Sequence, residues 1–164
     1  MIVSLRTLTY DELKAQLTEE DNIVIWTCNL CIKLCGVGGE TVANDLAVKL
    51  KNDGFNVLHV ESIGYGCHLG LVRNRTKEDI TKGIFEQADT IIVLSCTDGF
   101  EKVERVFRKK KVIQASATVG IGAYSSEKGM RLVNPFPETG LKASVKGTTL
   151  KEAAKKLKMY SKPF

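Results

Sequence analysis

The chain of 164 residues is 43% hydrophobic and 26% charged, with a net charge of +5. It is long enough to bury a core without disulfides or a structural metal, and its composition is that of an ordinary globular protein. No apolar run approaches the roughly 20 residues that cross a bilayer, which excludes a membrane-spanning role.

The opening segment, MIVSLRTLTYDEL, has neither a sustained apolar stretch nor a small-residue cleavage site, so no signal peptide is expected and the chain is assigned to the cytoplasm. Thr9 followed by Glu12 has capping-box spacing and opens a first helix through about Glu19. Asn22 to Thr27 (NIVIWT) reads as the first strand. Val42, Leu46 and Leu50 then recur at helical spacing until Gly54 supplies a stop. Phe55 to Val60 is a second strand, and Ile80, Ile84 and Ala88 mark a helix that Thr76 or Asp79 could cap. Thr90 to Ser95 (TIIVLS) lacks polar alternation, as expected of a central strand covered on both faces.

A short helix from Gly99 to Phe107 and a strand from Val112 to Ala115 follow. The glycines of TVGIGAY (Thr118 to Tyr124) and the prolines of NPFPETG then read as loops. Thr149 and Glu152 open a last, Lys-rich helix at about 149–159. This alternation predicts one α/β domain over residues 1–164: a doubly wound, mainly parallel, Rossmann-like or flavodoxin-like sheet of about four to five strands with helices on both faces.

Charge is unevenly spread. Residues 140–164 hold seven lysines against Glu152 alone, leaving the rest of the chain about neutral. Such a tail suits an acidic partner or an anion, but the plainer reading is a solvated helix face. The run Arg105, Arg108, Lys109, Lys110 and Lys111 sits where a helix ends, and cations are favoured there by the dipole. Without a nucleic-acid motif and with few aromatics, nucleic-acid binding is not expected.

Five cysteines in a reducing compartment are candidates for metal ligands, catalytic thiols or buried filler. Cys28, Cys31 and Cys35 cluster after the first strand, Cys67 follows the second, and Cys96 follows the third. A parallel sheet carries all of these positions to its carboxyl edge, where α/β proteins bind ligands. If the winding reverses after the second strand, the first lies between the second and third, making Cys28 and Cys96 neighbours. Four thiolates suit a 4Fe-4S cluster or tetrahedral zinc. Thiols spread over three strand ends, with only one Cys-x2-Cys pair, favour the cluster. The plainer reading makes one or two of them core residues, Cys96 first among them.

Gly36, Gly38 and Gly39 stand where a dinucleotide-binding turn would place its glycines, yet the full G-x-G-x-x-G is missing and Glu40 puts a carboxylate at the anion position. They are assigned instead to close approach of the backbone to a bulky inorganic group, with a helix N-terminus favouring negative sulfur. A redox or nucleophilic thiol at Cys28 or Cys31 is a third reading, but His59 falls inside a strand and His68 has no orienting acid. His68, beside Cys67, could serve zinc; it is left outside the first-choice ligands.

The segments TCNLCIKLCGVGGE, YGCHLG and FEQADTIIVLSCTDG together resemble the cysteine-rich accessory subunit, or C-terminal domain, of anaerobic-type methylenetetrahydrofolate reductases, over roughly residues 5–125. The resemblance implies an α/β domain that holds metal through these cysteines and passes electrons toward a flavin-bearing barrel. The expected role is therefore that of a non-catalytic, iron-sulfur electron-transfer accessory protein with a flavoprotein reductase as partner. A structural zinc-binding scaffold is the alternative, and the oligomeric state is left open.

Overall fold

Two four-stranded sheets, not one, organise residues 1–164 in the computed structural model. The chain opens with a strand, β1 (Ile2–Arg6), and a short helix, α1 (Tyr10–Lys14). Four strands then lie parallel: β2 (Asn22–Cys28), β3 (Asn56–Ile63), β4 (Thr90–Leu94) and β5 (Lys111–Gln114), in the order β3-β2-β4-β5. Helices α2 (Cys31–Leu34) and α3 (Glu40–Asn52) follow β2, α4 (Leu69–Arg75) and α5 (Asp79–Gln87) follow β3, and α6 (Thr97–Val106) follows β4. Strands β6 (Ser116–Ser125), β7 (Gly129–Pro135) and β8 (Thr148–Thr149) join β1 in an antiparallel sheet ordered β1-β6-β7-β8, and α7 (Leu150–Leu157) follows β8.

The expectation of a single, mainly parallel, doubly wound sheet is thus wrong. Half of the strands belong to the antiparallel sheet, and the reasons are local. β1 lay hidden in an opening segment where Ser4 and Arg6 interrupt the apolar residues, though both are buried. The supposed glycine loop, Thr118 to Tyr124, is instead the middle of β6. Its glycines answer to packing: a Cβ at Gly120 would overlap the Asn134 carbonyl, and one at Gly122 would overlap the Arg131 carbonyl and Val3. β5 and β6 are almost one continuous strand. Ala115 between them still donates to Val93 O of the parallel sheet (3.1 Å) while its own carbonyl accepts from Thr7 N (3.0 Å), so the chain changes sheets at that residue.

Alternation along the parallel strands divides the core. Ile23, Ile25, Ile92 and Leu94 face one way, onto α1 and α3 through Leu13, Leu46 and Leu50. Val24, Trp26, Ile91 and Val93 face the other way, onto Val72, Phe85, Val103 and Phe107 of the α4–α6 side. All five residues of β4 are buried, which accounts for its unalternating apolar sequence. A third cluster fills the space between the antiparallel sheet, α2 and α7; it includes Val3, Leu5, Ile32, Val119 and Leu132 together with Cys28 and Cys35.

Both anticipated capping boxes form, Thr9 with Glu12 and Thr149 with Glu152. The first helix nevertheless ends at Lys14, well short of Glu19. Thr76 closes α4, a helix the periodicity did not reveal, and Glu78 precedes α5 without a side-chain cap. Ile80, expected on the apolar face of α5, is 87% exposed, because Thr81 and Phe85 form the buried stripe. The C-terminal lysines lie on the outer side of α7, with Ala153 and Ala154 packed inward. The chain after α7 returns to β1, where the Arg6 guanidinium stacks on Tyr160 and Phe164 and donates to Lys162 O (3.0 Å).

Glu61 on β3 is 1% exposed, and its carboxylate accepts from Arg75 Nε (2.6 Å) and faces His59 Nε2 (3.1 Å). Arg75 also holds Glu78 (2.6 Å), which ties α4 to the approach to α5. Removing one partner of a buried pair strands the other charge. Arg75 is itself partly exposed, which moderates the loss. Arg75→Ala is expected to cost about 2 kcal/mol in urea unfolding, with Arg75→Lys recovering only part, since Lys offers no second planar donor.

Candidate metal centre

β2 delivers Cys28 to its own carboxyl end, and the chain then turns through a single helical turn, α2, that carries Cys31 at its start and Cys35 at its close. The return path is fastened to the strand ends. Thr27 Oγ1 donates to Leu94 O (3.0 Å) and accepts from Gly39 N (2.8 Å), while Asn29 Oδ1 accepts from Glu40 N (2.9 Å). Two N–H groups at the start of α3, those of Gly39 and Glu40, are therefore already taken by side chains of the β2 end.

The three glycines of this segment differ in what they accommodate. Gly36 (φ +72°) ends α2 with open space beside it. A Cβ at Gly38 would fall 2.6 Å from Ile32 Cγ1, and one at Gly39 (φ +89°) would fall 2.9 Å from Lys33 Cβ. Gly38 and Gly39 thus fold α2 back onto the strand ends and seat its thiols beside them.

Cys67 and Cys96 arrive from the next two strands. Gly66, immediately before Cys67, packs so closely that an added Cβ would lie 3.2 Å from both Cys28 Cβ and Ser95 Oγ. Gly99 abuts the same hydroxyl, because its Cβ would overlap Ser95 Oγ and lie 3.4 Å from the Gly66 carbonyl carbon. The loops carrying Cys28, Cys67 and Cys96 therefore meet at Ser95. The thiols sense one another electrostatically: Cys28 with Cys96 and Cys31, Cys35 with Cys31 and Cys96, Cys67 with Cys28 and Cys31. The turns bearing Cys28, Cys67 and Cys96 thus meet at the carboxyl edge of the parallel sheet, Cys31 and Cys35 follow on α2, and no three His, Cys, Asp or Glu side chains form a group that could hold a metal ion.

The antiparallel sheet roofs this region, a contribution the sequence reading missed. Cys35 Sγ accepts from Ser4 N of β1 (3.4 Å) and donates to Ile2 O (3.8 Å). Thr97 and Thr118 exchange two bonds, Thr97 N to Thr118 Oγ1 (3.0 Å) and Thr118 N to Thr97 Oγ1 (2.9 Å), and Ser116 Oγ donates to Ser95 O (2.6 Å). β6 thereby clamps the turn that presents Cys96.

Backbone N–H groups point at the buried sulfurs. Gly66 N donates to Cys28 Sγ (3.4 Å), Ser4 N to Cys35 Sγ (3.4 Å) and Gly99 N to Cys96 Sγ (3.4 Å), the last making Cys96 the N-cap of α6. Such donors favour thiolate. Burial nonetheless pushes the thiols of Cys28, Cys67 and Cys96 up, and that of Cys35 up to about 11. Ser95 is 1% exposed, and its hydroxyl makes no well-formed hydrogen bond but lies close enough to the Cys96 thiol to favour the thiolate. Ser95 is a residue that sequence alone does not single out, because its place between the Cys67 and Cys96 turns exists only in the fold.

Keeping Cys35 neutral stabilises the metal-free fold. Its folded value lies above the ordinary 9.0, so the contribution is complete below pH 9 and disappears as the pH rises toward 11. The metal-free protein is expected to lose on the order of 2 kcal/mol from this group across that window, measured by denaturant unfolding. Cys35→Ala is expected to remove that dependence.

Comparison of the chain with protein-family models, with curated proteins and with solved structures finds no match. No helix is long and apolar enough to cross a membrane.

Proposed function

We propose that the protein is an iron-sulfur electron-transfer accessory protein, carrying one 4Fe-4S cluster and serving a flavoprotein such as a methylenetetrahydrofolate reductase. The observation that carries this reading is the meeting of the turns that bear Cys28, Cys67 and Cys96 at the buried Ser95 hydroxyl, with backbone N–H groups aimed at the Cys28 and Cys96 sulfurs. Neutral thiols make poor use of such donors. Thiolates bound to cationic iron would use them fully.

One further point favours a metal centre over catalytic use of the thiols. A nucleophilic cysteine needs a lowered pKa, whereas burial drives Cys28, Cys35, Cys67 and Cys96 the other way. Cys28, Cys31, Cys67 and Cys96 are the four assigned to the cluster. Cys35 is the spare, since it is bonded at both ends to β1 and is the hardest to ionise.

A 4Fe-4S cluster supplies a one-electron relay. The chain's own residues would shield it beneath β1 and β6, direct N–H groups and the Ser95 hydroxyl toward its sulfurs, and leave Cys67 exposed at the rim beside Tyr65, which is 55% exposed. An exposed ligand beside an aromatic side chain suits short-range transfer to a docked flavoprotein.

The test is a reductive titration of protein reconstituted anaerobically with iron and sulfide. Uptake of about one electron per chain, with a paramagnetic reduced state, is expected. A protein that takes up zinc and no redox-active iron would replace this reading with that of a structural zinc scaffold.

A further inference from the structure

At their far ends from the cysteines, α4 and α6 flank an open groove. A cavity of about 460 Å³ lies between them, lined by Arg73, Thr76, Lys77, Arg105, Val106 and Arg108. Four of the six residues are cationic, one is a hydroxyl and only Val106 is apolar. No carboxylate lines it. None of the four cations forms an ion pair; Glu78 pairs with Arg75, Asp98 and Glu101 pair with Lys102, and Glu104, on the same helix as Arg105, pairs with none of the four. The neighbouring basic residues are also occupied, Lys110 donating to Glu86 O and Ala88 O, and Lys111 to Gln16 O. The basic run read as a helix end therefore separates into the bonded Lys110 and Lys111 and the unpaired Arg105, Arg108 and Lys109.

Helix dipoles do not account for this arrangement. Each helix C-terminus carries at most about half a negative charge, so two such ends offset about one of four full positive charges. Like charges gathered in one concavity repel each other, and a bound anion relieves that repulsion. The volume falls within the range of small-ligand pockets, while the polar lining suits phosphate rather than an apolar group. Arginines flanking a concavity match phosphate oxygens in bidentate fashion. We infer that this cavity is a binding site for a compact polyanion, the di- or triphosphate group of a small ligand or free polyphosphate. It stands independently of whatever the thiols hold.

Calorimetric titration of the full-length protein with inorganic tripolyphosphate at low salt tests this directly. Saturable binding of one ion per chain is expected, weakened about tenfold or more by Arg73→Gln/Arg105→Gln. Both positions are exposed, so the variant should keep its melting temperature. Lys151→Gln/Lys155→Gln on α7 should leave binding unchanged. Equal weakening by both variants, or binding that never saturates, would overturn the site in favour of diffuse charge attraction. Binding of a polyglutamate peptide, with none of tripolyphosphate, would overturn it in favour of an acidic protein partner. A parallel titration with a nucleoside triphosphate distinguishes the sources. Tighter binding than tripolyphosphate supports a phosphorylated organic ligand, and equal binding supports free polyphosphate.

Discussion

Cys96→Ser protein, reconstituted anaerobically, is expected to lose its bound iron to background while remaining folded. The fold should survive because serine is a good N-cap, and its hydroxyl can take over the bond from Gly99 N that Cys96 Sγ now accepts. A serine oxygen is a harder, poorer ligand for iron than a thiolate. Cys67→Ser should behave alike, since that side chain is exposed and contributes little packing. Cys35→Ser is the contrasting case. Its sulfur contacts β1, so iron content should stay near the wild-type level while thermal stability falls, because a buried thiol has been exchanged for a hydroxyl. Iron content and melting temperature, measured on the same samples, separate ligand loss from packing loss. Loss of iron in Cys35→Ser equal to that in Cys96→Ser would reassign the spare cysteine.

Gly120→Ala and Gly122→Ala are each expected to destabilise the protein by about 3 kcal/mol, roughly a 10 °C fall in melting temperature for a chain of this size. At both positions a methyl group meets backbone of β7 rather than a movable side chain, and Gly120 also has φ +152°. The damage should spread to the cysteines. β6 carries Ser116 and Thr118, which hold the Ser95–Thr97 turn, so splaying β6 from β7 loosens the mount of Cys96. Gly83→Ala provides the control. It lies within α5 with open space around it, and helix propensity predicts a gain of roughly 0.8 kcal/mol.

The contrast between these glycines shows where the sequence was legible. Strands β2, β3, β4 and β5 announce themselves because both of their faces are covered, and their apolar runs need no partner to be recognised. The placement of β2 between β3 and β4 followed from that, and with it the meeting of Cys28 and Cys96 at one sheet edge. Strand β6 carried the opposite signal. Gly120 and Gly122 spell a loop by local propensity, yet they are required by the close approach of β7 across the hairpin, at Asn134 and Arg131. β1 was hidden for a similar reason. Buried Ser4 and Arg6 break its apolar pattern, and much of their compensation comes from Thr118 and Lys162, which local reading cannot supply.

The candidate site divides along the same line. Its five cysteines could be read from spacing, because the carboxyl edge of a parallel sheet gathers whatever follows each strand. Its roof could not, because β1 and β6 belong to the second sheet. Ser95 needed the fold as well, since an orphaned hydroxyl is defined by what does not bond to it.

Iron and acid-labile sulfide content, measured on protein purified and reconstituted without oxygen, tests the central claim most directly. About four of each per chain, with the brown colour of a cluster, is the result predicted. Colourless protein holding neither iron nor sulfide, with all five thiols free to react, would contradict it.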